Sequence, residues 1–296
     1  MHKETMAHLL VLLNTLLVAG SFIASQKIAG LIHPISLTLF RFILASLLLS
    51  PFILFNLTKR QKVQKTLPKA MMISLFYSLY FIAFFKALES TTALNTGTLY
   101  TLVPLVTAIL CIFFFKERIS FFQLIVYFCG ILGTITVIFK GELALLLHFS
   151  INQGDFIFLS AVLFMAIYSI LTKYLHRQDD DVPVLVFMTL VGGSVWMFGA
   201  LMLMDIPLQW ELITGNALFY MLYLVIGATL MTVYLTQKAS IIIGPKKVMA
   251  YVYISPAMIA FLLYLLGETT LTWDIGVGIG ISSLATLLLL VNRANR

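Results

Sequence analysis

Between short polar clusters the chain runs apolar for about 20 residues at a time, the length a helix rising ~1.5 Å per residue needs to cross ~30 Å of hydrocarbon. Ten such runs predict ten helices, at 6–28, 35–57, 70–88, 92–115, 120–140, 154–176, 182–204, 217–238, 246–267 and 273–292. Continuous stretches such as "AMIAFLLYLLG" do not alternate polar with apolar residues, which excludes the strands of a transmembrane barrel. The first run, with Lys3 ahead of it and "SFIAS" near its end, has the outline of a cleaved secretory signal. Only further spans follow it, so it is read as the first span.

Two runs carry a proline near the middle, where a helix loses a backbone donor and meets a clash with the preceding turn. These are Pro104 in the fourth and Pro256 in the ninth. Their surroundings correspond: "KALESTTALNTGTLYTLVP" starts at Lys86 and "KASIIIGPKKVMAYVYISP" at Lys238, and Glu117 and Glu268 follow the prolines. The chain therefore divides into two repeats, 6–140 and 153–292. Five spans is an odd number, so the second repeat crosses the membrane in the opposite sense to the first. The expected fold is an all-α integral membrane protein of ten transmembrane helices, arranged as two inverted five-helix repeats, an architecture common among secondary transporters.

Composition agrees with this pattern: 61% hydrophobic residues, 10% charged residues and a mean hydropathy of +1.03. The net charge of +7 would in a soluble protein suggest nucleic-acid binding. Here placement explains it. With the N-terminus in the cytoplasm, the inner side collects Lys3, Lys59, Arg60, Lys62, Lys65, Lys69, Lys116, Arg118, Lys173, Arg177, Lys238, Lys246, Lys247, Arg293 and Arg296, fifteen of the 19 basic residues. The outer side receives Lys27, Lys86 and Lys140, and Arg41 lies within the second span. By the positive-inside rule both termini are expected in the cytoplasm of a plasma or inner membrane, with "TKRQKVQKTLPK" as a basic linker and no nucleic-acid partner. Cys111 and Cys129 fall inside spans and read as buried thiols rather than a disulfide or zinc pair. No metal or cofactor is expected.

The order Ala87-Leu88, Pro104, Glu117, Gln123 and Gly133 resembles the signature of the EamA-type drug/metabolite transporters, in which two five-helix repeats form one carrier. The resemblance covers nearly the whole chain. It implies that the first, third, sixth, eighth and ninth helices surround a central cavity, and that Arg41, followed by Phe42, has a mainly structural role. On its own reading Arg41 lies about 10 Å from the outer end of its helix and can snorkel.

Polar residues on these helices give the candidate substrate contacts: Asn14 and Ser21 on one face of the first span, Tyr77 and Tyr80 on the third, Thr98 on the fourth, Tyr168 on the sixth, Tyr223 on the eighth and Tyr251 on the ninth. Pro104 and Pro256 are candidate gating positions, as are Arg41, Glu117 and Glu268, the glutamates reading as anchors at span ends. Every acidic residue lies at or beyond a span end, which points to facilitated diffusion or exchange rather than carboxylate-based ion coupling. Gly130, Gly133 and "GVGIG" at 276–280 are expected to allow close helix packing within one chain or in a homodimer.

The expected function is secondary transport, as exporter, facilitator or exchanger, of small metabolites such as amino acids by alternating access, with membrane lipid as the surrounding partner. A channel lacks a filter-like sequence here. An enzyme would need convergent catalytic groups, and neither H-E-x-x-H nor G-x-S-x-G is present. The charge pattern makes a direct prediction about orientation. In cells carrying a cysteine-free variant, Lys62→Cys should react with a membrane-impermeant maleimide only after permeabilisation, whereas Asp205→Cys should react from outside.

Overall fold

The computed structural model describes residues 2–28, 30–91, 93–139, 144, 147, 152–268, 270 and 272–291. Among the basic residues counted above, Lys140, Arg293 and Arg296 lie outside them, as do the ends at 140 and 292 of the two sequence repeats. The regular elements are all helical: α1 (His2–Lys27), α2 (Pro34–Leu54), α3 (Leu57–Leu88), α4 (Ala93–Tyr100), α5 (Val103–Phe115), α6 (Phe121–Ile138), α7 (Gln153–Tyr174), α8 (Val182–Leu203), α9 (Asn216–Val225), α10 (Thr232–Ile243), α11 (Pro245–Ala250), α12 (Ser255–Leu265) and α13 (Trp273–Val291). Among the described residues they make ten helical spans long and apolar enough to cross a bilayer. The fourth span is α4 plus α5, the eighth is α9 and α10 joined by a π-helical turn at Ile226–Met231, and the ninth is α11 and α12 joined by a 3₁₀ turn at Tyr251–Ile254.

Helix starts follow side chains that satisfy orphan backbone donors. Ser120 and Gln123 form a reciprocal capping box on α6, Asn152 and Asp155 do the same on α7, and Asn56 and Asp181 cap α3 and α8. The cap at Asn56 corrects one expectation. The segment "TKRQKVQKTLPK" is no linker but the first turns of α3, built of good helix formers and continuing past Pro68 into the span. Large apolar side chains face outward all around, including Phe55, Phe121, Phe128, Leu203 and Trp273, as lipid-facing helices require. Cys129 also faces outward, contrary to the expectation of two buried thiols, while Cys111 is buried.

The contacts between spans repeat under exchange of the halves. The second span packs on the seventh and the fifth on the tenth, pairs that map onto themselves. The third packs on the sixth as the eighth packs on the first, and the fourth packs on the sixth as the ninth packs on the first. This is the contact pattern of two inverted five-helix repeats, with each half's core completed by the other.

Glycine makes the tightest of these contacts possible. A Cβ on Gly133 in α6 would stand 2.7 Å from the Ser282 backbone nitrogen of α13, and one on Gly278 would stand 2.8 Å from the Gly133 carbonyl oxygen. A Cβ on Gly130 would strike the Tyr253 ring at 2.6 Å. Gly276 and Gly280 meet nothing within 4 Å, so only part of the "GVGIG" stretch serves this seam. Gly133→Val and Gly278→Val are accordingly expected to destabilise by about 1–3 kcal/mol each through overpacking. Gly276→Ala is expected to leave melting in detergent unchanged or slightly raised, and thermal unfolding of the purified variants checks the contrast.

Candidate functional site

The two prolines do not kink continuous helices. Each opens the second part of an interrupted span, Pro104 in the first turn of α5 and Pro256 in the first turn of α12. There the missing proline donor is one that a helix start leaves unpaired in any case. The chain between α4 and α5 turns through short bonds from Thr101 N to Thr98 O and Leu102 N to Leu99 O. Buried Thr98 sits just before this break, and Tyr100 ends α4.

The most unusual polar contact in the interior is made by Arg41. Its side chain is 8% exposed and turned inward, which overturns the snorkelling expectation. Nε donates to Thr229 Oγ1 at 2.9 Å and Nη2 donates to the Ala228 carbonyl at 3.2 Å. Both partners lie in the π-helical turn of the eighth span, where a π register leaves carbonyls out of the regular ladder. Thr229 in turn donates to the Leu224 carbonyl at 2.8 Å, and Thr232 donates to the Ala228 carbonyl at 2.9 Å. Arg41 therefore tethers the second span to an irregular segment of the opposite half.

Around the guanidinium stand phenols. Tyr77 and Tyr80 of α3 interact electrostatically with Arg41, and the hydroxyls of Tyr80 and Tyr100 face one another. Tyr77 stacks on Tyr168 of α7 with ring centroids 4.5 Å apart, and on Phe42 with centroids 5.6 Å apart. Beyond Tyr168, fully buried Gln237 of α10 donates through Nε2 to Thr189 Oγ1 of α8 at 3.0 Å, while its Oε1 has no hydrogen-bond partner. The cluster thus runs from Arg41 through stacked aromatic rings to Gln237, with side chains supplied by both halves.

Of the eight predicted substrate contacts, the structure brings Tyr77, Tyr80 and Tyr168 together in this cluster. Thr98 precedes the break in the fourth span, and the polar groups of the other four are bonded elsewhere. Asn14 accepts from Thr236 Oγ1 at 3.1 Å, Ser21 donates to the Val18 carbonyl of its own helix, and Tyr223 donates to the Leu17 carbonyl at 3.0 Å. Tyr223 packs so closely on α1 that a Cβ on Gly20 would reach its hydroxyl at 2.3 Å. Tyr251 pairs with His8 Nδ1 at 3.0 Å. Asn14, Tyr223 and Tyr251 thus join α1 to the eighth and ninth spans. Sequence reasoning passed over Tyr100, Thr189, Thr229 and Gln237. Gln237 alone carried a usable signal, an amide inside an apolar span, whereas the role of Thr229 depends on a π turn that no periodicity announces.

Glu117 and Glu268 each meet a lysine of the opposite half, on opposite faces of the molecule. Glu117 lies 3.6 Å from Lys246, whose Nζ also approaches Gln123 Oε1 at 3.5 Å. Glu268 lies 3.0 Å from Lys27, with both side chains well exposed. On the lysine-rich face Lys69 and Asp180 form a second ion pair across the halves, largely buried, and Lys62 donates to the Asp179 carbonyl at 2.7 Å. Burial pushes the Asp180 carboxyl up, but the hydrogen bonds from Lys69 and the Arg177 backbone, with the nearby Lys69 and His176 charges, hold it below its ordinary value.

Asp155, in the first turn of α7, is fully buried at the joint between the third and sixth spans. It accepts from the Asn152 backbone nitrogen and from Thr91, and a Cβ on neighbouring Gly154 would stand 2.6 Å from the Ala87 carbonyl.

Known proteins share this arrangement. One solved chain, described only as "Crystal structure of protein", superposes with a TM-score of 0.81 over 99% of each chain at 16% identity, which shows the fold. An uncharacterized transporter of Bacillus subtilis (strain 168), YyaM, is 22% identical over 193 residues, 64% of this chain and 63% of its own length. An uncharacterized transporter of Methanothermobacter thermautotrophicus (strain Delta H) is 26% identical over 123 residues, 42% of this chain and 35% of its own. The aligned parts thus span less than two thirds of either relative. The model of the EamA-like transporter family matches twice, at residues 5–139 and 152–291. With both halves matched and the ten-span fold in place, the chain belongs to the EamA-like transporter family and is a multi-pass membrane protein.

Proposed function

We propose that this protein is a secondary carrier of small amphipathic metabolites that alternates access by rocking its two halves about the Arg41–Tyr77–Tyr168–Gln237 cluster. The observation that carries the reading is the composition of that cluster: buried polar groups from both halves meet where the π turn interrupts the eighth span and the fourth span breaks nearby. Interrupted helices at a repeat boundary are where carriers of inverted architecture place their substrates.

The ion pairs supply the rest of the cycle. On the lysine-rich face, which the positive-inside rule assigns to the cytoplasm, Lys69–Asp180 and Lys246–Glu117 both join the halves and both are substantially shielded from solvent. On the other face the exposed Lys27–Glu268 pair also joins the halves. Exposed pairs of this kind contribute at most about 1 kcal/mol. Both sets are formed in the conformation described here, the cytoplasmic one the better shielded, and rocking opens one face by separating the pairs on that face. The buried carboxylate of Asp155 sits at a span end inside a capping box, so the transport path holds no mid-membrane carboxylate among the described residues. This supports facilitated diffusion or exchange. Amino acids fit the aromatic and hydroxyl-bearing walls.

Purified protein in liposomes should show saturable counterflow that persists when proton and sodium gradients are collapsed. Unsaturable flux would mean a channel, and loss of uptake with the gradient would mean ion coupling. Glu117→Lys should raise reactivity of cysteines introduced on the cytoplasmic side of the cluster, and the reciprocal Glu117→Lys with Lys246→Glu should restore wild-type reactivity.

The Lys69–Asp180 clamp has a defined pH response. A carboxyl held below its unfolded value stabilises the folded state above the ordinary Asp range, near pH 4, and loses that contribution as pH falls through its folded value. The melting advantage of the wild type over Asp180→Asn should therefore be full at pH 7 and shrink below about pH 4.

A further inference from the structure

We infer that Arg41 is the docking point of a carboxylate, so that the solute held by the cluster carries one carboxylate group on an apolar or aromatic body. The inference deepens the carrier reading above and rests on it for the solute's movement, though not for its binding. A guanidinium offers five N–H donors. Among the described residues Arg41 makes two hydrogen bonds, to the Thr229 hydroxyl and the Ala228 carbonyl, and both partners are neutral. The ion pairs among the described residues all involve other cations, so this buried arginine has no counter-ion within 4.0 Å.

A buried charge left unpaired is costly, and neutral hydrogen bonds offset only part of that cost. An arriving carboxylate would complete the pair, with the strong charge-assisted bonds that a guanidinium makes to a planar anion.

The corresponding helix of the second repeat, α8, carries no charged residue. Arg41 is the seventh residue after the first of α2, and Thr189 is the seventh after the first of α8. The matched serines Ser46 and Ser194, each bonding back to its own helix, keep the same offset. The second repeat thus builds the corresponding helix with a threonine at that position, and the arginine is an addition of the first repeat at the boundary between them.

The neighbours narrow the ligand further. Tyr77 and Tyr80 are the titratable groups that act on Arg41. The Tyr77 hydroxyl is able to donate to an anion, the Tyr80 hydroxyl is paired with Tyr100, and the stacked rings of Phe42, Tyr77 and Tyr168 form an apolar wall. Arg41 and Tyr77 are both buried, each with 8% exposure. One positive charge matches one negative charge. A phosphate dianion would bring a second charge with nothing to neutralise it, and a cation would face a guanidinium.

The test uses solutes sharing one phenyl body and differing in charge: 3-phenylpropionate, phenethylamine, 3-phenyl-1-propanol and phenyl phosphate. Titration calorimetry on the purified full chain should show binding of 3-phenylpropionate, with the amine, alcohol and phosphate at least tenfold weaker. Arg41→Gln should weaken 3-phenylpropionate at least tenfold and erase the preference over the alcohol, and Arg41→Lys should fall between, since it keeps the charge without the planar fork.

Failure of 3-phenylpropionate to bind, equal binding of the amine or phosphate, or unchanged affinity in Arg41→Gln would overturn the inference. Should Arg41→Gln fail to elute as a folded species, Tyr77→Phe takes its place, and unchanged 3-phenylpropionate affinity in that variant would likewise overturn it. Counterflow of the same solutes separates the two readings. Arg41-dependent binding without saturable counterflow removes the carrier reading and leaves the site, whereas saturable counterflow of the amine alone does the reverse.

Discussion

Hydrocarbon offers no hydrogen bonds, so any interruption of a helix within a bilayer must be answered by another part of the protein. Among the described residues there are three such interruptions, in the fourth, eighth and ninth spans, and the structure answers the one in the eighth with a charged side chain. Arg41 reaches across the boundary between the halves to a carbonyl and a hydroxyl of the π turn. The second span is thereby fixed to the eighth, and the aromatic residues that pack on Arg41 are held in the same place. The buried charge and the irregular backbone are mutually dependent: each would be costly without the other.

The same boundary organises the periphery. Because each half contributes spans to the other's core, any relative motion of the halves must slide side chains past one another along the third and sixth spans and along the first and eighth. The faces of the molecule carry reversible ion pairs where the centre carries stacked rings, and an ion pair near solvent separates at far smaller cost than a packed glycine seam such as Gly133 against Gly278. The fifth and tenth spans, joined by that seam, form a fixed spine. The helices that bear Arg41, Tyr77, Tyr168 and Gln237 also make contacts across the boundary. The EamA-like transporter family model matches this chain once in each half.

Much of this was legible in the residues. The lengths of the apolar runs, the odd number of spans in each half and the doubled Pro104 and Pro256 neighbourhoods gave the ten-span inverted architecture, because a bilayer admits few alternatives to a helix of fixed length. The aromatic candidates Tyr77, Tyr80 and Tyr168 were visible as polar marks on apolar helices. Asn14, Ser21, Tyr223 and Tyr251 were marked by the same rule, yet Ser21 bonds back to its own helix and the other three spend their polar groups on contacts between α1 and the second half. A helical stripe reports which residues share a face and not which neighbour that face meets.

Sequence by itself determined the number of crossings, their alternation and the asymmetry of charge between the two faces, since these depend on hydropathy and spacing along one chain. Tertiary structure alone decided that Pro104 and Pro256 begin helices rather than bend them, that the lysine-rich segment before the third span is helical, and that Arg41 turns inward instead of reaching for the membrane surface. Each of those outcomes turns on a partner distant in the chain or on a local register that periodicity does not encode. For Arg41 the reason is specific: the free energy of burying its charge depends on Thr229 and Ala228, 188 and 187 residues away, and on a π turn that exists only where the two halves meet.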